Sequence, residues 1–329
     1  MPKPHPFRRI FTMLFCALAG LCSIAWSSEP RIAVSKSPLS LPFYVAREKN
    51  LFARHKVQPA LVECLGGSRC IKEMIEGRAD MATASELPFM FEVFEGRPIT
   101  LIATFATNKD DMKFVVRKEI IKGGVKALVG KRIGFVNKTA SHYYKDLLLL
   151  YYGIDPQSIV AVPMLPEALA MALSKGEVDA VSAWEPWGYA ARGLGGNTVT
   201  VLDSPKLYSQ TFNLLANNNY RLTQLRKMTG VLAALDEAIQ FIKKNPAEAR
   251  QILARDVGMD PETIKVVWSD YQFELTLQQS LVTTLQGQAR WARGEGHVSQ
   301  SLADPEFLHF IDSSLLRKIR PNAVDFVYP

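Results

Sequence analysis

Two short stretches of this 329-residue chain hold most of its candidate chemistry. Thr139-Ala140-Ser141-His142 lies where a strand around Ile133 gives way to a helix. A helix N-terminus presents unpaired N–H groups and the positive end of the helix dipole, and hydroxyls beside it add donors for an anion. Thr139 or Ser141 suits a plain N-cap equally well, so both roles stay open. Trp184-Glu185-Pro186-Trp187 follows another strand. An indole is costly to expose, so at least one of these tryptophans belongs to a core, and Trp184, nearer the strand, is the better candidate for covering a ligand. Glu185 has a counterpart in Glu86, which follows Ser85. The two carboxylates could bind an amine, orient a loop, or pair across a cleft.

Catalytic signatures are missing from the sequence. Its five histidines are scattered, and it contains no HExxH, no Gly-x-Ser-x-Gly and no P-loop. No ligand set has convincing metal spacing, so neither a metal nor another cofactor is expected, and no residue is assigned a catalytic role. Lys3, Arg8 and Arg9 precede an apolar run from Ile10 to Ile24, and Ala25-Trp26-Ser27 has the form of a cleavage site. Residues 1–27 therefore read as a signal peptide, with an exported, periplasmic product beginning at Ser28. Cys22 raises lipidation, which Leu21 disfavours. Removing three basic residues takes the formal charge from +7 to +4, too mild and too dispersed for nucleic acid. Cys64 and Cys70 are then the remaining thiols, and an even pair in an oxidising compartment predicts a disulfide.

The elements that must position these residues repeat. Gly77-Arg78-Ala79-Asp80 through Ser85-Glu86 is echoed about a hundred residues later by Gly176-Glu177-Val178-Asp179 through Trp184-Glu185. Upstream, Arg31-Ile32-Ala33-Val34 is echoed by Arg132-Ile133-Gly134-Phe135. Two copies of a strand–loop–helix unit predict two similar lobes. Ligands of open α/β sheets bind beyond the carboxyl ends of the strands, so a cleft between the lobes is expected. The loop Ser37-Pro38-Leu39-Ser40 occupies the same topological place as Thr139–His142. The alternation of elements predicts a largely parallel sheet in each lobe. A single helix is expected from Phe43 to about His55, and helices over Leu277–Arg293 and Pro305–Leu316 are expected to encase the first lobe. The expected division is a first lobe from 28 to 108, a second from 109 to 209, and a return to the first from 210 to 329.

Gly130-Lys131-Arg132-Ile133-Gly134-Phe135, the Thr139–His142 loop and Gly176-Glu177-Val178-Asp179-Ala180 into Ala183-Trp184-Glu185-Pro186-Trp187 together resemble the nitrate/sulfonate/taurine substrate-binding proteins of ABC importers. The resemblance runs from about Arg31 to Asp203 and fades in the helical tail. It implies a two-lobed type II periplasmic-binding-protein fold, acting as a monomer, that closes over a small molecule and docks to an ABC permease or to a membrane sensor. It also implies a ligand held among Ser37, Leu39, Ser40, Ser85, Glu86, Thr139, Ser141, His142, Trp184 and Glu185. Ala140 stands where a second Ser is common in the family, and Glu86 adds a carboxylate. Both favour a zwitterion or an organic sulfonate over an inorganic anion. An enzyme of the same fold acting on a pyrimidine or cofactor precursor is the alternative.

Overall fold

The protein is described by a computed structural model over residues 29–203 and 206–326. The signal segment and its cleavage site lie outside the described residues. Eleven strands among those residues form two sheets. The first half of the chain supplies β1 (Arg31–Ser35), β2 (Ala60–Cys64), β3 (Met81–Ser85) and β4 (Ile99–Asn108). Then come β5 (Met112–Arg117), β6 (Arg132–Phe135), β7 (Val160–Pro163), β8 (Ala180–Trp184) and β9 (Val199–Val201). The chain ends with β10 (Gln210–Asn217) and β11 (Tyr271–Thr276).

The first sheet runs β11-β4-β10-β3-β1-β2 and the second β7-β6-β8-β5-β9. Apart from β11, the orders correspond strand for strand, with β1 matching β6 and β3 matching β8. The sequence echo has a physical basis in this match. Asp80 accepts from the Arg31 backbone N–H at 2.8 Å and from its guanidinium at 3.0 Å. Asp179 does the same for Arg132, at 2.9 Å in both contacts. In each lobe an Asp just before the third strand thus fixes where the first strand begins. The guanidiniums are nearly half exposed, so the ion pairs themselves add little; the bonds to backbone set register.

Each sheet is mixed rather than largely parallel. β2, β1 and β3 run parallel, while β10, β4 and β11 are antiparallel to their neighbours. In the other sheet only β7, β6 and β8 are parallel. The reason is the double crossover. The chain leaves the first sheet after β4 and returns as β10, which inserts between β4 and β3 from the opposite direction. β11 departs from the expected all-helical tail. Its residues alternate buried and exposed, the period of an edge strand with one covered face.

The helix expected over 43–55 is two, Leu41–Glu48 and Leu51–Arg54, because Asn50 turns into the left-handed region at φ 55°, which Asn tolerates better than most residues. The expected helix over 305–316 is a 3-10 turn, Phe307–Phe310, followed by Ser314–Ile319. The long helix Leu225–Lys244 buries Met228, Val231, Leu232, Leu235, Ile239 and Ile242. That spacing is an amphipathic stripe, laid against the helices that follow β1. Burying such side chains stabilises by about 1.5–3 kcal/mol apiece before chain entropy is counted. This layer holds the first sheet rigid, so its strand-end loops can be placed reproducibly.

Candidate functional site

The loops at the carboxyl ends of β1, β2, β3, β6 and β7 converge with both crossovers on one cavity of about 690 Å³, counted with its mouth. Ser37, Ser85, Thr139 and Trp184 line it, as does Ala140 from the same loop as Thr139. Six other expected site residues do not, and each has a physical reason. Leu39 is core, 1% exposed. The Ser40 hydroxyl donates to the Ser35 carbonyl at 2.7 Å. Ser141 is the matching pin in the other lobe: its hydroxyl donates to the Ser182 carbonyl at 2.7 Å and accepts from Val136 N–H at 3.0 Å. These serines fasten a helix start to its sheet, which leaves Ser141 no free donor.

His142 packs against Phe135, Trp291 and His297, with ring centroids 4.4, 5.1 and 4.6 Å away. Burial, helped by Lys145 and His297, pushes its pKa down to about 3, so it is a neutral packing group between the second lobe and the helix Gln279–Gly294. Glu86 lies wholly buried beneath the site. Its Oε2 accepts from Thr211 N–H at 2.9 Å and Thr211 Oγ1 at 2.7 Å, and its Oε1 from Gln288 at 2.9 Å and from the Tyr208 hydroxyl. Glu185 accepts from Arg192 at 2.8 Å and from Tyr189 N–H at 2.6 Å. Burial raises both carboxyls above their ordinary range. Neither faces the cavity. The first ties together the second crossover, β10 and the C-terminal helix, and the second caps its own helix.

Thr139 takes the capping role, and its hydroxyl proton is used within its own loop. Its hydroxyl accepts from Ser141 N–H at 3.2 Å, as an N-cap, and donates to the Val136 carbonyl at 2.8 Å. With the Ser141, His142 and Tyr143 N–H groups bonded to Thr139, the helix Ala140–Tyr151 brings its positive dipole end and the Ala140 N–H to the cavity.

Several lining residues escaped the sequence reading. Leu65-Gly66-Gly67-Ser68-Arg69 lies inside the disulfide ring of Cys64 and Cys70, whose Cα atoms are 5.5 Å apart. Gly66 has φ 103°, and a Cβ on it would come within 3.2 Å of the Trp184 ring. A Cβ on Gly67 would sit 2.8 Å from the Ala84 backbone. These glycines let the helix Gly67–Ile75 start against β3, with its dipole and first-turn N–H groups at the cavity. Arg69 reaches across to Glu167 of the second lobe at 2.7 Å. The carboxyl end of β2 obeys the strand-end rule as β1 and β3 do, and that rule alone could have found this loop.

Asp111 and Gln210, from the two crossovers, also line the cavity. Asp111 Oδ2 and Gln210 Oε1 are buried and accept no hydrogen bond. Burial, with Glu185 adding repulsion, pushes Asp111 up to about 8, against smaller pulls from Lys113 and Tyr271. Between its ordinary 3.8 and about 8, this carboxyl is protonated in the fold and ionised in the unfolded chain. The fold then binds the extra proton, so stability falls as pH rises through that window. Urea unfolding of the empty protein should register this decline, and Asp111→Asn should flatten it by up to one proton. An unchanged slope in that variant would remove Asp111 from the cause.

The family model described as NMT1/THI5 like matches residues 37–249, about two thirds of the chain. The putative aliphatic sulfonates-binding protein of Escherichia coli (strain K12) is 23% identical over 271 residues, spanning 80% of this chain and 84% of that protein. The taurine-binding periplasmic protein of the same organism is 25% identical over 173 residues, 51% of this chain and 53% of that protein. The crystal structure of the periplasmic aliphatic sulphonate binding protein from Escherichia coli aligns with a TM-score of 0.70 at 21% identity. It covers 87% of this chain and 98% of that one, a likeness of fold.

Proposed function

The chain belongs to the NMT1/THI5-like family, and from that premise we propose that it is an exported receptor for a small anionic or zwitterionic organic molecule of the sulfonate or taurine class. It hands this solute to an ABC permease. The observation that carries the reading is a cavity lined from both lobes and both crossovers, with Trp184 on one side of it and the Gly66 loop against its ring. An enclosed space bounded by two bodies joined through two strands suits capture and release by hinge motion. The positive dipole ends of Gly67–Ile75 and Ala140–Tyr151, both at the cavity, favour an acidic group on the ligand.

Turnover is not part of this reading. The described lining contains neither His nor Cys, and its polar side chains are hydroxyls, Asn137, Arg69, Asp111 and Gln210. No nucleophile is paired with a base there. Among the described residues no helix is long and apolar enough to cross a membrane; the signal segment carries the export part of the proposal.

A thermal-shift screen over alkanesulfonates, taurine, nitrate, pyrimidines and small dicarboxylates is the direct test. Ligand at about a hundred times its Kd should add about 2.7 kcal/mol by mass action, a shift of several degrees. The hit should be recovered unchanged after prolonged incubation. Its conversion would move the protein to the enzyme class.

A further inference from the structure

We propose that the solute carries a protonated amine, held by Asp111 Oδ2 and Gln210 Oε1 where the two crossovers meet the first sheet. The inference rests on the receptor reading and narrows its ligand to amine-bearing solutes. Asp111 is 2% exposed and Gln210 4%, and each has a buried oxygen without a hydrogen-bond partner beside a cavity that the residue lines. Buried polar oxygens without partners are costly; the empty protein lessens that cost by keeping a proton on Asp111, and a bound group rich in donors would take that proton's place. An ammonium has three donors and no acceptor.

The backbone brings the pair together. Asn108 at the end of β4 is in register with Gln210 on one side and Tyr271 on the other, and Asp111 follows three residues later. The Tyr271 hydroxyl donates to Asp111 Oδ1 at 3.3 Å, which leaves Oδ2 as the open atom. The surrounding charges point the same way. Asp110, Asp111 and Glu185 are the carboxylates around this corner, and Lys113 and Arg192 are the cations. Lys113 is engaged by Asp110 at 2.8 Å and Arg192 by Glu185 at 2.8 Å. Ionised Asp111 is the remaining charge without a partner in this group, and a ligand ammonium balances it. An acidic group at the helix starts and an amine at the crossovers together describe a zwitterion.

Binding a cation draws the proton from Asp111, so affinity for the amine should rise with pH up to about 8. Were Asp111 instead to donate its proton to an anion, affinity would fall over the same range. The test is titration calorimetry with two pairs that differ by the amino group, taurine against ethanesulfonate and β-alanine against propionate. Wild type, Asp111→Asn and Gln210→Ala are compared at about pH 6 and about pH 8, with thermal melts to verify folding. Wild type should prefer the amine-bearing member roughly ten- to a hundredfold, more so at the higher pH. Asp111→Asn should erase the preference and its pH dependence while still binding the amine-free anions, and Gln210→Ala should reduce it. Equal binding within both pairs, or affinity for the amine-bearing members that falls with pH, overturns the amine subsite and leaves the receptor reading standing. Binding of no member of either pair overturns both.

Discussion

Glu86→Ala is expected to destabilise the protein by about 3–5 kcal/mol, because it strands four buried donors on three residues and breaks a buried network. The variant leaves the Tyr208 hydroxyl, Thr211 and the Gln288 amide without their acceptor. These donors come from the run Tyr208–Thr211 and from the helix Gln279–Gly294, so one carboxyl ties its own helix to two segments far away in sequence. Urea denaturation should show a lower midpoint with an unchanged slope. Glu86→Gln keeps one acceptor oxygen and should recover part of the loss. A change below about 1 kcal/mol in the alanine variant, accompanied by a large drop in ligand affinity, would return Glu86 to the binding surface.

Trp184→Ala should affect both stability and binding. Trp184 is 8% exposed and belongs to the second lobe's core. Truncating a buried aromatic to alanine costs about 3–5 kcal/mol of stability. The same ring lines the cavity and meets the Gly66 loop, so its loss also removes apolar cover from the ligand, roughly ten- to a hundredfold in affinity. Far-UV circular dichroism should be unaltered, since β8 keeps its ladders to β5 and β6. Trp184→Phe should recover much of both. If Trp184→Ala is destabilised yet binds as the parent does, the ring is core alone.

The fold was legible where sequence period and topology agree. The Arg and Asp of each echo identified two lobes, and they turned out to perform one job twice, fixing the start of a strand. Sheet direction was less legible, because β10 gives no local sign that it returns antiparallel; that depends on the path of the whole chain. β11 was lost for a similar reason. Tyr271-Gln272-Phe273-Glu274-Leu275-Thr276 alternates over six residues between helices, and the helical surroundings outweighed it.

The site was legible as a set of loops more than as a set of atoms. Topology pointed to the strand ends that line the cavity, but motif residues such as Ser141, Glu86 and Glu185 have their polar atoms bonded within the protein. Residue type alone cannot distinguish a hydroxyl that holds a helix from one that holds a solute. Asp111 and Gln210 belong to no motif in the sequence. Their importance appears only with burial and an unpaired oxygen on each.

Native mass spectrometry of protein purified gently from the periplasm, followed by release and identification of whatever is bound, tests the central claim most directly. One small solute per chain, with an acidic group and an amine, recovered chemically unchanged and missing from folded Trp184→Ala protein, is the expected result. A solute retained equally by that variant, or released as a converted product, would contradict the account of a receptor that closes over its ligand at this cavity.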